Sequence, residues 1–346
     1  MAKPVTLSDV AAAANVDMST ASRVLRGTGR VSPATRQRIL DVASSLDFRP
    51  NAQAQFLAQG ISKTVGVLTM NAPDIFAMPV LAGLNTEFGL RDVATLLYDA
   101  GLDDDALREN VRKLHARRID GLLVLGSGLM DPIRSFSAEF DVPVVYAFGT
   151  SDSRDDAIFI PDGVMAGRMA AQHLIDIGRR RIAHVTAARD IAAIERAEGL
   201  RQVLAENDLE MALGAPLEGD WLRRWGAQAA QRILDSGEQV DAIFCGNDQI
   251  ALGVYEVLRG AGVSIPDDIA LVGMDNWEGM VGSGDNLLTT VDPNLIGVGR
   301  AAAEYLNVVT IDDYEGGVRH VPCSLVLGET TMGGGSRRSS DVDGRV

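Results

Sequence analysis

From about residue 64 onward the chain alternates two patterns. Short runs of aliphatic and β-branched residues are followed by longer stretches in which apolar positions recur every three or four residues. The short runs predict strands at 65–70, 94–98, 121–125, 142–147, 182–186, 242–245 and 270–273. The amphipathic stretches predict helices at 104–117, 165–177, 196–206, 225–234 and 249–260. Strands of this kind separated by helices belong in parallel sheets covered on both faces. Over 260 residues of such alternation is too long for one sheet and fits two doubly wound lobes.

The first fifty residues follow a different pattern, that of three short helices. Thr6 and Asp9 frame a capping-box-like start, because hydroxyl and carboxylate can satisfy N–H groups that a first turn leaves unpaired. Helix one then runs to about residue 14. Asn15 tolerates a left-handed turn, Asp17 caps a second helix over 18–25, and Ser32-Pro33 opens a third. Val10, Ala14, Val16, Ala21, Val24 and Leu25 can form a small core that Ile39, Val42, Ala43 and Leu46 close. Met18, Ser19, Ser22 and Arg23 are left on the outer face of the second helix, the helix-turn-helix geometry that enters a major groove. The following NAQAQFLAQG, residues 51–60, is too short to hold a helix alone in water and would fold against a partner.

Composition sharpens this picture. With 346 residues, 46% apolar and 23% charged, the chain can build two or three cored units and is neither disordered, collagen-like nor a disulfide scaffold. No apolar run reaches the ~18 residues of a membrane span. MAKPVTLSDV lacks the apolar stretch of a signal peptide, so a cytoplasmic protein is expected. Cys245 and Cys323, with no CxxC or Cys/His cluster, predict buried thiols. The net charge of −15 is unevenly spread: residues 1–60 carry seven basic and four acidic side chains, leaving the remainder at −18. A basic head on an acidic body points to nucleic acid at one end only.

TLSDVAAAANVDMSTASRVLRG, VSPATRQRILDVASSLDFRPN and the alternating body to about residue 331 closely resemble the lactose-repressor/galactose-repressor (LacI/GalR) family of bacterial transcription regulators. The resemblance implies an α/β protein: a small all-α helix-turn-helix head and two doubly wound parallel-sheet lobes like those of periplasmic binding proteins. The head would span 1–60, with a hinge helix at about 51–60. The core would span 61–332, its N-lobe at about 61–161 and 292–322 and its C-lobe at about 162–291 and 323–332. By family position Met18, Ser19 and Arg23 read bases, Arg30 is a further contact, and Thr6, Ser22 and Asn51 anchor phosphates. Leu57, with Ala54 beside it, matches the leucine that wedges into the minor groove and kinks the operator. Two departures stand out. Asp17 occupies a place where relatives usually carry serine, and its carboxylate still caps the helix but repels phosphate. Gly328 stands where relatives commonly carry the arginine of an Arg-x-Ser-Thr ending.

Ligands of doubly wound sheets sit outside the carboxyl ends of the strands. Asn247-Asp248 and Asp275-Asn276-Trp277 follow predicted strands, Glu195-Arg196 follows one after a loop, and Trp221 lies just before a helix. Carboxylates and amides can grip adjacent hydroxyls, arginine adds fixed donors, and an aromatic plate packs on the C–H face of a sugar ring. By family position Arg196, Trp221, Asn247 and Asp275 contact the effector, with Asp74 and Phe148 contributed by the N-lobe. Asp248 reads better as a helix cap than as a ligand, and Trp277 as either cleft wall or lobe surface.

No enzyme constellation is present: the four histidines are scattered, GxSxG, Walker and HExxH motifs are absent, and the glycines of 297–302 fall within a helical pattern. No metal or cofactor is expected. The expected protein is therefore a regulator, a repressor of sugar-utilisation genes that binds a pseudo-palindromic double-stranded DNA operator as a homodimer and is released by a small carbohydrate. The alternatives are a corepressor-type regulator binding a purine or nucleoside, or a sugar-binding protein that does not touch DNA. The glycine- and serine-rich tail, 333–346, is expected to be disordered and has no leucine heptad for a tetramer.

Overall fold

A computed structural model describes residues 5–49, 61–71, 73–101, 103–282, 286–308 and 312–332, which divide into two compact units between Lys63 and Thr64. The first unit holds α1 (Leu7–Ala13), α2 (Met18–Leu25) and α3 (Pro33–Ser45). Each helix starts on a side-chain cap. The Asp9 N–H donates to the Thr6 hydroxyl while the Asp9 carboxylate accepts from the Thr6 N–H, and the Thr20 and Thr35 N–H groups donate to Asp17 and Ser32. Asn15 turns α1 into α2 with φ 50°. Val10, Ala14, Ala21, Val24, Ile39 and Ala43 are buried between the helices, and Val16, Leu25, Val42 and Leu46 pack around them.

The second unit is two sheets. One is built from β1 (Thr64–Thr69), β2 (Ala94–Asp99), β3 (Gly121–Leu125), β4 (Val144–Ala147), β5 (Ala157–Pro161) and β11 (Gly317–Val321), ordered β11-β5-β4-β3-β1-β2 and parallel throughout. The other holds β6 (Ile182–Ala187), β7 (Leu217–Gly219), β8 (Ala242–Cys245), β9 (Ala270–Met274), β10 (Thr289–Asp292) and β12 (Ser324–Val326), ordered β12-β10-β9-β8-β6-β7 with only β12 antiparallel. The chain crosses from one sheet to the other after β5, after β10 and after β11.

All seven predicted strands are present, shifted by at most two residues. Five others were not anticipated. β7 and β12 are three residues long, and β11 is an edge strand carrying Arg319 and His320. One predicted helix starts late. The observed helix runs Ile191–Glu206 behind its cap Asp190, which puts Arg196 in its second turn.

The remaining helices are α4 (Ala77–Leu90), α5 (Asp104–Ala116), α6 (Gly163–Asp176), α7 (Ile191–Glu206), α8 (Arg223–Ser236), α9 (Asp248–Gly260), α10 (Trp277–Val281), α11 (Leu295–Val308) and α12 (Glu329–Met332). Three pairs pack backbone to backbone: α4 with α11, α6 with α7, and α8 with α9. In each pair a glycine on either helix faces a carbonyl of the other. A Cβ on Gly83 would lie 2.0 Å from the Ile296 oxygen, and one on Gly299 2.0 Å from that of Val80. Gly167 and Gly199 meet the Arg196 and Val164 oxygens at 2.1 Å in the same way, and Gly226 and Gly253 meet those of Ile250 and Arg223 at 2.1 and 2.0 Å. Of the two glycines within 297–302, Gly299 is thus a helix contact, whereas Gly297 faces the Asn294 side chain. Gly328 has a packing reason too, since a Cβ there would lie 2.3 Å from the Leu288 oxygen.

Gly199→Ala should therefore lower unfolding stability by about 1–3 kcal/mol through overpacking. Gly260→Ala, whose Cβ would meet nothing within 4 Å, should raise it by roughly 0.5–1 kcal/mol through helix propensity. Urea-unfolding midpoints of the two variants moving in the same direction would contradict this assignment.

Candidate functional site

The residues expected to read DNA lie on the exposed side of α2. Met18 is 55% exposed, Ser19 and Arg23 are exposed, and Ser22 is half-buried. Arginine suits guanine, serine suits several base edges, and an apolar side chain suits the thymine methyl. The Asp17 carboxylate organises this face, accepting from the Ser19 hydroxyl at 2.5 Å, the Thr20 hydroxyl at 2.7 Å and the Thr20 N–H at 2.8 Å. These bonds, that of Ser19 foremost, hold its pKa well below the usual carboxylate range, so it remains charged. Arg23 lies back along the helix, donating to the Ser19 hydroxyl at 3.1 Å and carbonyl at 3.2 Å. Arg30 is exposed beyond the end of α2. The Thr6 hydroxyl already donates to Asp9 at 2.7 Å, so it can donate to a phosphate only by leaving that bond. Asn51, Ala54 and Leu57, and with them the expected hinge helix, lie outside the described residues, as does the tail.

In the second unit a cavity of about 670 Å³ opens between the carboxyl ends of the two sheets. It lies where each strand order reverses, β1 beside β3 and β6 beside β8, the switch points at which doubly wound sheets bind ligands. Phe148, Arg196, Trp221, Asn247 and Asp275 all line it. Asp74 does not. Its carboxylate accepts from the Phe76 N–H at 2.8 Å, turning the chain into α4, and Phe76 reaches the cavity instead.

Arg196 donates to the Gly246 carbonyl at 2.5 Å, approaches Asp275 to 4.0 Å and lies 5.5 Å from the Trp221 ring. The Trp221 indole N–H donates to Asp190 at 3.1 Å, and the Trp221 carbonyl accepts from the Asn247 amide at 3.0 Å. The cap of α9 is Asn247, which accepts from the Ile250 N–H at 2.8 Å; Asp248, expected to be the cap, is instead the first helical residue. Asp248 is buried and accepts from the Trp277 N–H at 2.7 Å and the Thr290 hydroxyl at 2.8 Å.

Phe76 joins the two lobes' aromatic residues, with ring centroids 5.9 Å from Phe148 and 6.2 Å from Trp277. Trp277 is thus an aromatic contact of the cleft side. Asp275 itself is held at φ 105°, a conformation that side-chain-bearing residues rarely adopt and that marks functional sites. Among the described residues, Glu195 Oε2, Arg196 Nε and Thr186 Oγ1 are buried without a hydrogen-bond partner, all close to this cavity or its strand ends.

Among the contributors to the lining that sequence reasoning missed are Asp190, Phe76 and the loop 127–134. Asp190 could have been found as the cap preceding a helix; the other two carry no motif. Cys245 and Cys323 are free and buried, and burial pushes the Cys323 thiol up to about 12. No helix among the described residues is long and apolar enough to cross a membrane.

A helix-turn-helix unit followed by two parallel-sheet lobes around a ligand cleft defines a class: regulators that join a DNA reader to a periplasmic-binding-protein-like sensor. Residues 6–51 match the bacterial regulatory proteins of the lacI family, and residues 62–327 match the periplasmic binding proteins and sugar binding domain of the LacI family. The chain belongs to the LacI family of DNA-binding transcriptional regulators. It is 33% identical to the HTH-type transcriptional regulator CelR of Thermobifida fusca over 78% of this chain and 82% of that one. The lac repressor dimer bound to operator and the anti-inducer ONPF superposes with TM-score 0.70 at 26% identity, covering 95% of this chain and 99% of that one. A CelR–cellobiose complex superposes with TM-score 0.61 at 26% identity, covering 94% and 99%. These relatives are regulators of transcription, not enzymes.

Asp17→Ser keeps a capping oxygen and removes a charge that opposes phosphate. In 50–100 mM salt its affinity for a random-sequence duplex should rise a few-fold, a gain that screening erases at higher salt. Anisotropy titrations in which Asp17→Ser binds more weakly at every salt concentration would refute a repulsive role.

Burial and the neighbouring Asp275 carboxylate push Asp248 up to about 8, and burial, reinforced by Asp292 and opposed by Arg196, pushes Asp275 up to about 7. Both exceed the unfolded value of roughly 3.9, so the folded state binds extra protons between those limits and this contribution to stability is lost as pH rises through about 7–8. The melting temperature should fall from pH 5.5 to 8.5, and Asp248→Asn should shrink that fall. An unchanged slope in the variant would show that Asp248 titrates elsewhere.

Proposed function

We propose that this chain is a repressor that holds a pseudo-palindromic operator as a homodimer and is released when a small, uncharged carbohydrate occupies the cleft. The observation that carries this reading is the meeting of Arg196, Trp221, Asn247 and Asp275 at the carboxyl ends of the C-lobe strands, opposite the aromatic pair Phe76 and Phe148. Fixed donors, carboxylate acceptors and flat apolar rings are what a ring of hydroxyls and C–H groups requires. The cavity's charge supports neutrality. Asp104, Asp131, Asp190, Glu195 and Asp275 line it against only Arg134 and Arg196, and Arg134 is already paired with Glu139. A phosphorylated or otherwise anionic effector would meet uncompensated repulsion there. The cellobiose of the CelR complex and the operator-bound dimer of the lac repressor are consistent with this reading.

Two copies of the head are needed because one recognition helix contacts few base pairs, and symmetric dimers read symmetric half-sites. Effector and operator are linked only through the difference in the effector's affinity for two lobe arrangements, so release requires tighter binding to the arrangement that DNA disfavours. Induction is the sign proposed.

Thermal-shift titration with mono- and oligosaccharides should give a saturable stabilisation, followed by loss of the operator gel shift. Trp221→Ala should abolish the sugar-induced shift while the variant still retards operator DNA. Loss of both together would instead assign Trp221 a structural role. Removing residues 1–60 should abolish operator retention, and retention at full affinity by the truncated chain would overturn the proposal.

A further inference from the structure

A serine that faces base edges is ordinarily ambiguous. Its hydroxyl can donate to guanine or thymine oxygens, or accept from the amines of adenine or cytosine, so alone it selects little. On α2 a neighbour removes that ambiguity. Asp17 stays ionised, so its oxygens only accept. The Ser19 hydroxyl donates to one of them at 2.5 Å and the Thr20 hydroxyl to the other at 2.7 Å, which engages the single proton of each hydroxyl.

Arg23 approaches the same two hydroxyl oxygens. A guanidinium only donates, and its Nη2 lies 3.1 Å from the Ser19 oxygen and 3.4 Å from that of Thr20, while Nε donates to the Ser19 carbonyl at 3.2 Å. Every direction along Asp17–Ser19–Arg23 is therefore set by chemistry: the hydroxyl gives its proton to the carboxylate and accepts from the arginine. The turn after α2 closes on the arginine stem, since a Cβ on Gly29 would lie 3.1 Å from Arg23 Cδ, and the Thr28 N–H donates to the Arg23 carbonyl at 2.9 Å. The exposed Ser19 oxygen keeps a lone pair that none of these bonds uses. If Arg23 swings out to a guanine, the Ser19 proton still belongs to Asp17.

An oxygen confined to accepting, beside a carboxylate, selects its base. In the major groove adenine N6 and cytosine N4 donate, whereas guanine O6 and N7 and thymine O4 accept and would face both the Ser19 lone pair and the Asp17 charge. We infer that Asp17 is a specificity-determining residue that itself touches no base: by committing the Ser19 proton, it restricts Ser19 to an exocyclic amine, that of adenine or cytosine on the strand it faces. Asparagine or serine at this position would also cap α2, but each can donate as well as accept, which frees the Ser19 proton to turn outward. The inference rests on the expectation that α2 presents Ser19 and Arg23 to bases.

Selection of a randomised double-stranded library by the full-length protein tests both levels. Ser19→Ala and Arg23→Ala should each flatten a different base-pair position of the half-site. Asp17→Asn should lower discrimination at the Ser19 position about fivefold while positions set by neither Ser19 nor Arg23 keep theirs, and Asp17→Ser, a second capping variant, should do the same. At that position, purine in place of adenine or 2-pyrimidinone in place of cytosine removes the amine. The exchange should weaken wild-type binding about fivefold and leave Ser19→Ala binding unchanged. Full discrimination at the Ser19 position in both Asp17 variants would overturn the role of Asp17 and leave α2 as the base reader. So would amine-free bases bound as tightly as natural ones, or an affinity change spread evenly over all positions. If neither Ser19→Ala nor Arg23→Ala alters any position, the reading of α2 falls and the inference with it.

Discussion

The second unit depends on how closely α6 and α7 approach. Gly167 lies against the carbonyl of Arg196 and Gly199 against that of Val164, so the contact fixes both the separation of the two helices and the rotation of α7 about its axis. That rotation is what aims the Arg196 side chain from the second turn of α7 toward the Gly246 carbonyl rather than toward solvent. A slip of one helical turn would carry the guanidinium about 5.4 Å along the axis and away from Asp275. The reciprocal contact of Gly226 and Gly253 does the same for α8 and α9, which begin just beyond Trp221 and at Asn247. Each glycine costs helix stability of about 1 kcal/mol relative to alanine. The cavity-lining residues are placed because that cost is met by close packing rather than by longer side chains.

Holding the site this rigidly allows carboxyl groups to be buried in it. Asp248 sits behind Asp275, and Asp292 lies near enough to raise Asp275 further, so three carboxylates share one corner of the C-lobe with a single guanidinium. The Trp277 N–H and the Thr290 hydroxyl donate to Asp248, while burial favours its protonated form. A ligand hydroxyl arriving at Asp275 or at the unpartnered Arg196 Nε meets groups that the protein has already desolvated, where a hydrogen bond counts for more than at a wet surface. The cost of such a corner is borne by the fold whether or not ligand is present, as the strained backbone at Asp275 and Asn276 also indicates.

Much of this was legible in the sequence because it is local. Side-chain caps at Thr6, Asp17 and Ser32, the positive φ at Asn15 and the buried strands all follow from residue type and spacing, Asn247 and Asp275 from their places after strands, and Arg196 and Trp221 from the family resemblance. What was not legible is set by partners distant in the chain. β10 reads as Thr289-Thr-Val-Asp292, without the long aliphatic run of a buried strand, and becomes one because β9 and β12 flank it. Asp74 was expected in the cleft, yet a backbone N–H two residues on captures its carboxylate and Phe76 takes its place. Asp248, expected to cap the helix, is instead a buried acceptor and leaves the cap to Asn247, because the Trp277 N–H and Thr290 hydroxyl, 29 and 42 residues away, converge on Asp248.

Coupling between cleft and lobe arrangement has a physical route at the three crossings. Each contains a proline, Pro161, Pro293 and Pro322, whose fixed φ confines rotation to the few remaining backbone angles beside it. The crossings are also bonded to one another: the Asp162 N–H donates to the Val321 carbonyl at 2.9 Å and the Asn294 amide to the Pro322 carbonyl at 3.1 Å. Strands tied in this way resist sliding past each other but share a common axis about which the lobes can turn, the geometry of hinge rather than shear closure. The cleft reaches that axis directly. The Asp275 N–H donates to the Val291 carbonyl at 2.9 Å, and the adjacent Asn276 amide donates to the Asp292 carboxylate at 2.9 Å. Asp292 in turn accepts from the Asn294 N–H at 2.6 Å. Asp275, in its strained conformation, therefore stands one hydrogen bond from the second crossing, so a contact made at the cleft lies beside the segment that joins the lobes rather than across either core.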